Sequence, residues 1–129
     1  MKYMLLIYGN EQDSTQDARE KCYQESAQLG RDLYAKGQFI AAAPLHPTST
    51  ATSVKVRNGR RILTDGPFAE TREQLGGYFL VEAKDLDEAL DIAGRLPGAR
   101  IGTVEVRPVI EVAGLPHYEV VAGQHANSK

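Results

Sequence analysis

Residues 1–8 read Met1-Lys2-Tyr3-Met4-Leu5-Leu6-Ile7-Tyr8. Successive side chains of an extended strand point to opposite faces, so Tyr3, Leu5 and Ile7 share one side and Met4, Leu6 and Tyr8 the other. Both sides are apolar, and a strand of that kind has to be covered on both. After it, Gly9 to Asp13 is a polar break. Ser14 and Asp17 then stand at the spacing of a helix-capping box, with aspartate in place of the usual Glu or Gln. Ala18, Cys22, Ser26, Leu29 and Leu33 follow along one stripe of a 3.6-residue period, which predicts a helix ended at Gly37.

Phe39 to Ala43 is a short apolar run that predicts a strand ending at Pro44, and Pro44 to Thr50 is a loop without usable periodicity. Thr52 to Arg57 and Arg60 to Thr64 flank Asn58-Gly59, a pair that tolerates the positive φ of a type I′ turn. That turn sets a register in which Arg57 faces Arg60, Val54 faces Leu63 and Thr52 faces Asp65. Asp65 therefore closes the base of the hairpin. Asp65 to Gly76 interrupts the pattern with Gly66-Pro67 and a charged stretch that could form a short helical turn. Tyr78 to Val81 predicts a strand, Asp85 and Glu88 a second cap, and Leu86, Ala89, Leu90 and Ala93 the apolar stripe of a second helix closed by Pro97-Gly98. Thr103 to Arg107 predicts a last strand. From Val109 onward the chain reads as a weakly ordered tail.

The element order is β, α, β, hairpin, β, α, β: an α+β chain on the ferredoxin-like split βαβ plan with an inserted β-hairpin. Two helices cover only one face of such a sheet. The apolar second face of the first strand therefore calls for another cover, and a second copy of the chain packed sheet against sheet supplies it most simply.

The composition sets outer limits. A chain of 129 residues, 42% hydrophobic and 25% charged, fits one soluble domain with a real core. Fifteen basic and seventeen acidic residues leave a net charge of −2, so no general attraction to nucleic acid or to an anionic membrane is expected. The apolar runs fall well short of the roughly 20 residues of a membrane span, and the first residues lack a signal-peptide pattern. One cysteine, Cys22, excludes an internal disulfide framework and fits a reducing cytoplasm.

From Met1 to about Val109 the chain resembles the YCII-related proteins of the DGPF type. The resemblance rests on the opening octapeptide, on Thr64-Asp65-Gly66-Pro67-Phe68-Ala69-Glu70-Thr71-Arg72-Glu73-Gln74-Leu75-Gly76-Gly77-Tyr78, and on Val104-Glu105-Val106-Arg107-Pro108. It implies a domain over 1–109 with a C-terminal extension over 110–129, and the dimeric α/β-barrel form of the ferredoxin-like fold. It implies less about activity. Most DGPF-type members have no assigned reaction, some are encoded beside extracytoplasmic-function sigma factors, and a few YCII relatives are dehydrochlorinases that use a His and Asp pair. This chain departs from that pattern, because Thr15 to Lys36 holds no histidine.

Asp65 is the aspartate that the resemblance carries over, and His46, in the loop before the hairpin, is a geometric substitute for the missing base. An imidazole oriented by a carboxylate suits general-base work near neutral pH, since histidine ordinarily titrates near about 6.5. The structural alternative is that Asp65 accepts backbone hydrogen bonds in its own turn and His46 is a solvated loop residue. Glu70 and Arg72 could clamp a polar ligand or form a solvated turn. Tyr8 and Tyr78 could line a cleft or pack in the core. Glu105 and Arg107 make one face of the last strand polar, as a pocket wall or an ion pair. Arg57, Arg60 and Arg61 crowd the hairpin tip and should be solvent-exposed.

Cys22, on the apolar helix stripe, reads as inert. His117 and His125 lack neighbouring ligands for a metal, and without a glycine-rich phosphate loop no bound nucleotide cofactor is expected. The sequence thus supports a cytoplasmic homodimer that binds a small polar or aromatic molecule, with any chemistry being cofactor-independent acid–base work of a lyase or isomerase kind. The competing reading is a noncatalytic regulatory or interaction module linked to sigma-factor signalling.

Overall fold

Strand β1 (Lys2–Gly9) is central because it is apolar on both faces: it pairs antiparallel with β5 (Gln74–Glu82) on one side and β6 (Thr103–Pro108) on the other. A computed structural model describes residues 1–116. The remaining elements are α1 (Gln16–Ala35), β2 (Phe39–Pro44), β3 (Thr52–Arg57), β4 (Arg60–Asp65), α2 (Leu86–Gly94) and α3 (Gly98–Ile101), with 3-10 turns at Glu11–Asp13 and Thr48–Thr50. The main sheet runs β2-β5-β1-β6, every neighbouring pair antiparallel, and β3 with β4 forms a separate two-stranded sheet. The fold is α+β, and its strand order is compatible with the ferredoxin-like plan.

The core lies on one face of the sheet. Tyr3 and Leu5 of β1 and Phe79 and Val81 of β5 are buried there beneath Leu29 and Leu33 of α1 and Ala89, Ile92 and Ala93 of α2. Leu5, Leu33, Val81 and Leu96 are wholly buried, and side chains of that size each gain roughly 1.5–3 kcal/mol on leaving water. The second face carries Met4, Leu6, Leu80 and Tyr78, all half-buried, beside the exposed Glu105 and Arg107.

The hairpin has the expected register throughout, from Arg57 opposite Arg60 to Thr52 opposite Asp65. Asn58 and Gly59 have φ of 53° and 72°, as a type I′ turn requires. Helix α1 ends as expected at Gly37, with φ 74°: the Gly37 N–H donates to Tyr34 O and the Gln38 N–H to Leu33 O, the two bonds of a Schellman cap.

Four expectations are corrected. The cap of α1 is Thr15, whose Oγ1 accepts from Ala18 N at 3.1 Å, one residue after the predicted cap at Ser14. Residues 66–73 form no helical turn. Strand β5 begins at Gln74, earlier than Tyr78, because Gly76 and Gly77 continue it. A Cβ on Gly77 would lie 2.9 Å from Ala43 O, so glycine lets β2 approach, and Gly76 falls at a bulge where β1 shifts register between Ile7 and Tyr8. In α2 the buried stripe is Ala89, Ile92 and Ala93, while Leu86 and Leu90 face outward; the helix ends at Gly94, before Pro97, and a short α3 follows.

Candidate functional site

Three connections meet at the end of the sheet where β1 finishes and β5 begins. The Glu11 carboxylate holds the His46 loop, accepting from Thr48 N at 2.9 Å and from Thr48 Oγ1 at 2.7 Å. The Glu11 N–H donates to Gln74 Oε1 at 3.0 Å, and Gln74 Nε2 donates to Thr71 O at 2.7 Å. Leu45 N–H reaches Gly76 O at 2.8 Å, so the loop after β2 is tied to β5 as well. Charge-assisted bonds of the Glu11 kind are stronger than neutral ones and give the rim a defined shape.

Beneath this rim lies a cavity of about 1280 Å³. It opens along α1, from Gln16 to Tyr34, and along the ends of β1, β2 and β5. Leu29 and Leu33 hold the C-terminal half of α1 on the sheet, whereas Cys22 and Ser26, on the same stripe, are only half-buried and line the cavity. Phe39 and Phe79, edge to face with centroids 6.1 Å apart, form part of its wall. A second cavity of about 580 Å³ lies across the His46 loop, bordered by Phe68, Thr71 and Leu75. His46 and Tyr8 border both cavities, and Tyr78 borders the larger.

Family comparison identifies the chain over this same span: residues 1–113 match the YCII-related domain. The chain belongs to the YCII-related family. Over 114 residues it is 36% identical to an uncharacterized protein of Rhizobium meliloti (strain 1021), which covers 84% of this chain and 92% of that relative.

In this YCII-related protein the sequence-predicted residues divide into two groups. His46, Tyr8 and Tyr78 come together on the cavity wall. Asp65 stands at the end of β4, exposed, and contributes to the lining of neither cavity, though its neighbours Gly66 and Pro67 line the larger one. No hydrogen bond or ion pair joins Asp65 to His46 among the described residues, and none ties the Asp65 carboxylate into its own turn. Other groups hold that turn: Gly66 N–H donates to Ala51 O at 2.7 Å, and Ser53 Oγ to Gly66 O at 2.9 Å. Glu70 and Arg72 are exposed and border neither cavity. Glu105 and Arg107 are exposed on the second sheet face without an ion pair among the described residues. His117 and His125 lie outside the described residues, and among the described ones no group of His, Cys, Asp or Glu could hold a metal ion.

Sequence reasoning missed Glu11 and Gln74. Neither sits in a periodic pattern or a motif with known chemistry, and only the approach of three separated connections reveals them. Away from this rim, Glu25 of α1 meets Arg100 of α3. There Arg100 Nη2 donates to Glu25 Oε1 at 2.7 Å, and this bond holds the Glu25 carboxyl below its ordinary value.

Proposed function

We propose that this YCII-related protein is a cytoplasmic homodimer that binds a small polar or aromatic molecule in the cavity beneath α1, with His46 as the proton-carrying group. The observation that carries this reading is the position of His46 on the wall between two cavities, with Tyr8 lining both. A concave, mainly apolar space with a few convergent polar groups is the usual form of a small-molecule site. The homodimer is supported by the second sheet face, where no helix among the described residues covers Met4, Leu6, Leu80 and Tyr78. Packed against its twofold mate, that face would give the two-sheet arrangement of a dimeric α/β barrel, as in the DGPF type.

The chemistry proposed is cofactor-independent proton transfer, with His46 as base and Asp65 as its orienting carboxylate. Among the described residues no group engages the Asp65 side chain, and hydrogen bonds of catalytic pairs often tighten only when a ligand is bound. Once a ligand has been found by screening, His46→Gln should abolish its conversion and Asp65→Asn should lower it by about two orders of magnitude or more, with folding retained. Conversion unchanged in both variants would contradict the assignment. Ligand binding that persists in both with no product formed by the wild type would leave a binding protein without catalysis.

A further inference from the structure

The hairpin formed by β3 and β4 is the least accounted-for part of the molecule. Its strands pack chiefly on each other, outside the main sheet. Val54, Val56 and Leu63 share one of its faces by register and are 59%, 62% and 57% exposed. An isolated two-stranded ribbon is marginal in water, and an exposed apolar ribbon invites association. Its charge is also distinctive. Residues 52–65 include four basic side chains, Lys55, Arg57, Arg60 and Arg61, and one acidic, Asp65, a net +3 on a chain of net −2, so the rest of the chain carries −5.

A complementary surface exists on the same chain. Leu86 and Leu90, one helical turn apart on α2, are 49% and 47% exposed, and Asp87 and Asp91 flank them at the same spacing. None of the four hairpin cations and neither aspartate has an ion-pair partner among the described residues. The hairpin therefore offers apolar side chains with cations, and α2 offers apolar side chains with anions. Within one chain, among the described residues, the two make no substantial contact.

We infer that the hairpin is an arm that docks on the outer face of α2 in a second copy of this chain, with Val54, Val56 and Leu63 against Leu86 and Leu90 and the tip arginines beside Asp87 and Asp91. This rests on the homodimer reading above. Six-residue strands extend about 20 Å, twice the roughly 10 Å between stacked layers, so the arm is long for an element outside the main sheet. Reciprocal docking satisfies twofold symmetry, since each protomer supplies one arm and one helix.

A charge exchange tests the inference. Sedimentation equilibrium of the full chain gives the dimer dissociation constant for wild type, Arg61→Glu, Asp91→Lys and the double variant, with circular dichroism verifying that each is folded. Each single reversal should weaken the dimer at least about tenfold, and the double variant should recover most of the loss. Val56→Asp should weaken it too, by removing the apolar half of the contact. A wild-type dimer that none of these changes disturbs, or a double variant no better than the singles, would overturn the docked arm while leaving the homodimer standing. A wild type that stays monomeric at the highest concentrations would overturn both.

Discussion

Glu11 lies in a five-residue break that has no periodicity, yet its carboxylate takes both hydrogen bonds that Thr48 can offer and so sets where His46 stands. Glu11→Ala should lower stability by about 1–3 kcal/mol, because it removes two charge-assisted bonds and leaves the Thr48 donors to solvent. A urea unfolding curve with a lower midpoint and unchanged slope is the expected result, and an unshifted midpoint would show that the loop is held by other means. Glu25 presents a second test. Its carboxyl is held low by the Arg100 hydrogen bond, so Arg100→Ala should raise it toward the ordinary value in a carbon-13 NMR titration. A depressed carboxyl contributes stability above its unfolded-state value and loses it as pH falls through the folded one. The pair is fully exposed, so the titration is the sensitive readout and the stability change should be small.

At the scale of elements, legibility followed local chemistry. The hairpin register was readable because Asn58-Gly59 admits one common turn, and the end of α1 because Gly37 supplies its left-handed residue. Strand β5 was read too short, since two glycines look like a break when their reason, the close approach of β2, lies far along the chain. The stripe of α2 was misplaced for a related reason: alanines at 89 and 93 with Ile92 suit the close contact with the sheet, while the larger Leu86 and Leu90 remain outside. Gly77→Ala should destabilise by about 1–3 kcal/mol, even though alanine ordinarily suits a strand interior better than glycine, because the added methyl meets Ala43 O and the Cα of Pro44 in rigid backbone. Thermal melting measures this, and a variant as stable as wild type would mean that β2 and β5 can separate without loss. Leu33→Ala should cost about 2–5 kcal/mol by opening a cavity beneath the well-packed half of α1.

At the scale of the whole molecule, one helix does two jobs. Leu29 and Leu33 of α1 seal the core, and other residues along the same helix border an open space shared with His46, Tyr8 and Tyr78. The sequence named those three residues, because histidine and tyrosine announce their chemistry, but it could not say that they share a wall. It paired His46 with Asp65 through the hairpin, whereas the structure shows the two joined by no bond among the described residues. The central claim is that the space beneath α1 is a small-molecule site. It is tested most directly by recording nitrogen-15 and carbon-13 correlation spectra of the full chain while titrating a library of small polar and aromatic compounds. At least one compound should give saturable shifts that concentrate on Tyr8, Cys22, His46, Gly77 and Tyr78 and are lost or weakened in His46→Gln. Saturable binding confined to other surfaces, or a library that leaves those five residues unmoved, would contradict it.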